Sequence, residues 1–79
     1  MASRNGEPDP EVHLQAARRH DAAADRHELA ANFWEQRGDD ERGAIERRNA
    51  QIERDAAELE RDRASLEQRR ATPRQPAPD

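Results

Sequence analysis

The sequence predicts an all-α fold: two long antiparallel helices forming a coiled-coil hairpin that dimerises to a four-helix bundle. Three observations predict it. The second half of the chain is a heptad repeat, IERRNAQ, IERDAAE, LERDRAS, LEQRRAT, with Ile45, Ile52, Leu59 and Leu66 at intervals of seven. The first half carries the same period in HLQAARRHDAAADRHELAANFW, where His13, His20, His27 and Trp34 recur with Ala17, Ala24 and Ala31 between them. Between the halves lies a single break at Gly38-Asp39, and a turn centred there brings the two stripes into phase.

The elements follow in order. Residues 1–8, MASRNGEP, are polar and aperiodic and read as a disordered tail. Asp9-Pro10-Glu11 is a helix start, because Asp caps free amides, Pro suits the first turn and Glu opposes the positive helix end. The first helix is expected over about 10–37. Gly38 ends it in a left-handed conformation, and Asp39-Asp40-Glu41 caps a second helix over about 40–71. Thr72-Pro73 stops that helix, and 72–79 reads as a second disordered tail. The domain is thus a hairpin over 9–71.

Antiparallel pairing about this turn sets Trp34 opposite Ile45, His27 opposite Ile52, His20 opposite Leu59 and His13 opposite Leu66. The intervening layers become Ala31 with Asn49, Ala24 with Ala56, and Ala17 with Arg63. Alternating His and Ala would let the backbones approach while each imidazole covers an aliphatic side chain. On one edge the same pairing sets Glu35 beside Glu46, Glu28 beside Glu53 and Asp21 beside Glu60. Protonated histidines could offset that acidic column, giving a pH-sensitive seam.

Composition limits function. Of 79 residues only 32% are hydrophobic and 41% are charged, with one Trp, one Phe and no Tyr, too few for a conventional globular core. The chain contains no cysteine, so thiolate metal sites and thiol nucleophiles are excluded. All 14 basic residues are Arg, yet the net charge is −4. The pairs Arg18-Arg19, Arg47-Arg48 and Arg69-Arg70 are interspersed with acids, which disfavours nucleic acid as the partner. No apolar stretch suits a leader or a membrane span, so the expected location is cytoplasmic, with no membrane partner.

The histidines are the natural candidates for chemistry. Residues seven apart on a helix are separated by about 10.5 Å, so no two of them can share a metal within one helix. HELAA at 27–31 lacks the second His of the H-E-x-x-H zinc motif. Ser3, Ser65 and Thr72 lie in tails or on the outer helix surface, away from any base or pocket. No catalytic, cofactor or metal site is expected, and the protein is expected not to be an enzyme. Leu29 and Phe33, spaced i, i+4 beside Trp34 on a neighbouring face, have no partner within the hairpin. They are the expected association surface, for a second copy of the chain or for another protein. A staple over the turn is the plainer alternative. Asn49 in the seam suits a role in register or helix number.

AAxFWExxGDxxR, followed by the Glu/Arg-rich heptads, resembles small uncharacterised helical-hairpin proteins of high-GC Gram-positive bacteria over about 13–71. That resemblance implies a hairpin and no particular activity. In outline the chain is also similar to the WXG-type helical hairpins exported by type VII secretion. Trp34-Glu35-Gln36-Arg37-Gly38 stands here where that family has Trp-x-Gly, and the Tyr of its export signal is lacking. The expected function is therefore a non-catalytic interaction or scaffold module acting through a self-associating hairpin. The alternatives are a small nucleic-acid accessory factor using the Arg pairs, and a WXG-like secreted hairpin.

Overall fold

The structure, a computed structural model, describes residues 9–71. The tails expected at 1–8 and 72–79 lie outside the described residues. Helix α1 runs over Pro10–Gln36 and α2 over Asp40–Ala71, and they pack against each other as an antiparallel hairpin. No strand occurs among the described residues.

Local chemistry sets each boundary. The Asp9 carboxylate accepts from the Glu11 amide at 2.9 Å, with Pro10 in the first turn. At the far end, the Gly38 amide donates to the Glu35 carbonyl at 3.0 Å and the Asp39 amide to the Trp34 carbonyl at 2.9 Å. These are the two reversed bonds of a Schellman motif, and they require a left-handed residue between them. Gly38 supplies it, with φ +80°. The motif ends α1 one residue before Arg37, the expected last residue, because Arg37 already sits at φ −92°, ψ 3°. Asp39 then accepts from the Arg42 amide at 3.0 Å and so caps α2.

The interior is built from small residues alone. Ala17, Ala24 and Ala31 of α1 are buried, and so are Gly43, Ala50, Ala57 and Ala64 of α2. No large side chain among the described residues is fully buried. Half of the expected seam therefore needs correction. The α1 alanines take their expected place, but Ile45, Ile52, Leu59 and Leu66 do not face them; these four are 57%, 57%, 49% and 38% exposed. Asn49 and Ala56 are only half-buried and Arg63 is exposed, so they form no interior layer either. Ile52 stands two residues after Ala50, about 200° around the helix, so the aliphatic row lies on the side of α2 turned away from α1.

The reason is physical. A glycine–alanine row laid against an alanine row lets two helices approach closely along their whole length, and polar side chains at both edges can then reach across. Facing the aliphatic row to α1 would instead have pressed three imidazoles against Ile and Leu, leaving half-buried ring N–H groups unpaired. At Gly43 the Glu35 side chain lies directly against the α2 backbone, since a Cβ there would lie 2.7 Å from Glu35 Cγ.

Because the interior has room only for methyl groups, enlarging one of them should overpack it. Ala24→Leu or Ala57→Leu should lower the unfolding free energy by about 1–3 kcal/mol. Ala44→Leu, at an exposed position of α2, should leave it nearly unchanged. Urea titration followed by circular dichroism checks this; equal midpoints for Ala57→Leu and Ala44→Leu would place the interface elsewhere.

Candidate functional site

Two ladders of polar pairs flank the alanine row. On one edge His13 Nδ1 meets Glu60 Oε1 at 2.7 Å, His20 meets Glu53 at 2.6 Å, and His27 meets Glu46 at 2.6 Å. An ionised carboxylate can only accept, so Nδ1 carries the proton in each pair. The expectation that His27, His20 and His13 cover Ile52, Leu59 and Leu66 is thus overturned: each imidazole is matched with a glutamate, six positions earlier in α2 than that pairing required. All three pairs are half-buried, where a charge-assisted hydrogen bond is stronger than in open water.

The other edge is acid on α1 and arginine on α2. Arg47 grips Glu35 through two parallel bonds, Nε to Oε2 at 2.8 Å and Nη2 to Oε1 at 2.6 Å. It also reaches Glu28 at 2.7 Å and the Asn32 side-chain carbonyl at 3.0 Å. Arg54 meets the other oxygen of Glu28 at 2.9 Å, and Arg61 pairs with Asp21. The like-charge column of Glu35, Glu28 and Asp21 against Glu46, Glu53 and Glu60 is therefore not formed. In the observed register Arg47, Arg54 and Arg61 face those α1 acids, and Glu46, Glu53 and Glu60 face the histidines.

Two of these carboxylates respond to their partners. The hydrogen bond from His13 holds the Glu60 carboxyl below the ordinary carboxylate value, with burial opposing and Arg63 and the nearby imidazoles assisting. The Arg47 hydrogen bond does the same for Glu35, and Arg47 is raised in return. Exposed ion pairs of this kind contribute little stability singly. Repeated at heptad spacing on both edges, they fix the register.

The turn closes one end of the hairpin with aromatic and cationic groups. Phe33 and Trp34 meet edge to face at 5.1 Å between centroids. The Arg37 guanidinium lies 4.0 Å over Phe33, and that of Arg42 lies 4.7 Å over Trp34. Of the Leu29–Phe33 pair, for which a staple over the turn is the plainer reading, Phe33 alone joins the cluster at the turn, against Trp34 and Arg37, while Leu29 is 69% exposed.

Each His–Glu pair offers one imidazole nitrogen and one carboxylate. Among the described residues no three His, Asp or Glu side chains converge as a metal site would require, and no helix is long and apolar enough to cross a membrane. Comparison with protein-family models, curated proteins and solved structures found no match. The most distinctive surface of the hairpin is the outer row of α2, Ile45, Ile52, Leu59 and Leu66.

Sequence reasoning set Glu46, Glu53 and Glu60 against α1 acids instead of the histidines, and it missed Arg47, Arg54 and Arg61 as the partners of those acids and the row Gly43, Ala50, Ala57, Ala64 as the interior. The signal was present: Glu46-Arg47, Glu53-Arg54 and Glu60-Arg61 recur every seven residues, in step with the histidines and acids of α1.

A carboxyl such as that of Glu60, whose folded value lies below its unfolded one, stabilises the fold fully above the unfolded value, 4.5 here, and that contribution is lost as pH falls through the folded value. Glu35 acts in the same direction. Denaturant titrations between pH 6 and pH 2.5 should therefore show stability declining below about pH 4.5, with a shallower decline in Glu60→Gln. Parallel acid limbs in the two proteins would mean that the His13–Glu60 contact is not populated in solution.

Proposed function

We propose that this chain is a non-catalytic protein–protein interaction module that self-associates through the outer face of α2. One observation carries the reading: four aliphatic side chains at heptad spacing are left about half exposed on a helix whose opposite face is already occupied by α1. Nothing in the hairpin needs that row, because the fold is held by alanines and by the two polar ladders. Aliphatic side chains repeated along one face over six helical turns are the pattern by which a helix meets another helix. Each of these side chains would contribute about 1 kcal/mol or more on burial of its exposed half, and two copies supply eight of them.

The expected surface of Leu29, Phe33 and Trp34 is a weaker candidate. Leu29 and Phe33 are 69% and 46% exposed, but they are two side chains against four, and Phe33 and Trp34 are also engaged with each other and with Arg37 and Arg42. The nucleic-acid alternative rests on the Arg pairs, and of these Arg18 is turned onto Glu11 and Arg47 onto Glu28 and Glu35 of the same chain, where they neutralise no phosphate.

Sedimentation equilibrium at tens to hundreds of micromolar should show an oligomer. Ile52→Glu should raise its dissociation constant about a hundredfold or more, since each chain would bury an unpaired charge, whereas Phe33→Glu should change it little. A wild-type monomer at these concentrations would overturn the reading. Dissociation by Phe33→Glu but not by Ile52→Glu would move the surface to α1.

A further inference from the structure

We infer that the occupant of the α2 face is the α2 helix of a second copy, running antiparallel, with the twofold axis passing near residues 54 and 55. This rests on the self-association proposed above and adds the partner's identity, direction and register. The aliphatic row alternates four and three residues apart with Arg42, Asn49, Ala56 and Arg63, which is the spacing of a second coiled-coil seam on a helix that already has one. Along its flank away from the histidines run Glu41, Arg48, Asp55, Asp62 and Arg69.

That flank is nearly self-complementary in one direction only. With the axis near 54 and 55, Glu41 meets Arg69 of the second copy, Arg48 meets its Asp62, Asp62 its Arg48 and Arg69 its Glu41. Only Asp55 faces its own kind, and it already accepts from Gln51 at 3.0 Å. Sliding the copies by one heptad one way sets Arg48 against Arg69 and Asp55 against Asp62, so every flanking pair repels; sliding them the other way keeps Arg48 opposite an acid, Asp55, but sets Glu41 against Asp62 and leaves Arg69 without its acid. A parallel dimer sets Glu41, Asp55 and Asp62 against Glu46, Glu60 and Glu67 of the second copy, leaving only Arg48 opposite an acid, Glu53. Like charges so placed disfavour an arrangement as surely as opposite charges favour one.

The seam itself fits the same register. Ile52 falls over the small Ala56 of the second copy and Leu59 over its Asn49, while Ile45 lies along the aliphatic stem of its Arg63 and Leu66 along that of its Arg42. On the histidine side Glu53 faces Glu53 and Glu46 faces Glu60, like charges that oppose this register as they oppose the parallel one, so the preference comes from the other flank, with four attractive contacts per dimer against two in the parallel arrangement. Each of these glutamates is held by an imidazole of its own chain, His20, His27 and His13 respectively. Arg63, 3.4 Å from Glu60 in its own chain, comes beside Glu46 of the second copy and bridges that edge.

The test uses charge reversal in the full chain. Arg48 and Asp62 are exposed on the outer face of α2, so the variants should remain helical by circular dichroism. In the antiparallel register Arg48→Asp and Asp62→Arg should each weaken dimerisation about fivefold or more, because each disrupts two symmetry-related pairs. The double variant, which exchanges the two charges, should recover to within about twofold of wild type. A parallel dimer reverses one of these signs, since Asp62→Arg would remove its repulsion with Glu67 and tighten association. A wild-type dimer tightened or unaffected by Asp62→Arg overturns the antiparallel register and leaves self-association standing. A wild-type monomer overturns both.

Discussion

Everything else in this hairpin depends on how closely two helix backbones can approach when the residues between them are no larger than alanine. Ala17, Ala24 and Ala31 against Gly43, Ala50, Ala57 and Ala64 bury little apolar area, so this seam would be a weak source of stability on its own. Its contribution is geometric. With no bulky layer to hold the helices apart, side chains on both edges span the gap, and His reaches Glu on one side while Arg reaches Asp and Glu on the other. Close approach sets the distance between the helices, and the matched ladders set their register.

The boundaries were legible because they rest on local chemistry. Asp9-Pro10, Gly38 and Asp39 each satisfy backbone groups that any helix end leaves open, and no tertiary information was needed to place them. The α1 half of the seam was legible because Ala17, Ala24 and Ala31, and not the adjacent row Ala16, Ala23 and Ala30, fall four residues after one heptad-spaced histidine and three before the next seam position. The α2 half was not. That helix carries two rows with the same period of seven, one of glycine and alanine and one of isoleucine and leucine, and hydrophobicity ranks the second above the first. Periodicity alone cannot rank them by the needs of α1. What decides between them is pairing: three imidazoles and three α1 acids must find partners, and only the glycine–alanine row brings Glu46, Glu53, Glu60 and Arg47, Arg54, Arg61 to the edges.

The consequence is a helix with two faces of different character. One is small, close-fitting and bordered by charge, and it closes the hairpin. The other is aliphatic, conventional in coiled-coil spacing and open to solvent. A chain whose interior is assembled without its largest aliphatic side chains keeps them available for another helix, and this division of labour underlies the proposed role as an interaction module. The same division links folding to assembly, because covering the outer row would stabilise α2 and so the hairpin to which it belongs.

The claim on which the account turns is that the histidines of α1 face the glutamates of α2 and not its aliphatic row. Nuclear Overhauser contacts of the His20 ring protons test it most directly, since the two candidate registers give this ring entirely different neighbours. The account predicts cross-peaks to the side-chain protons of Glu53 and none to the Leu59 methyls. Cross-peaks from His20 to Leu59, with none to Glu53, would contradict it and return the aliphatic row to the inside of the hairpin.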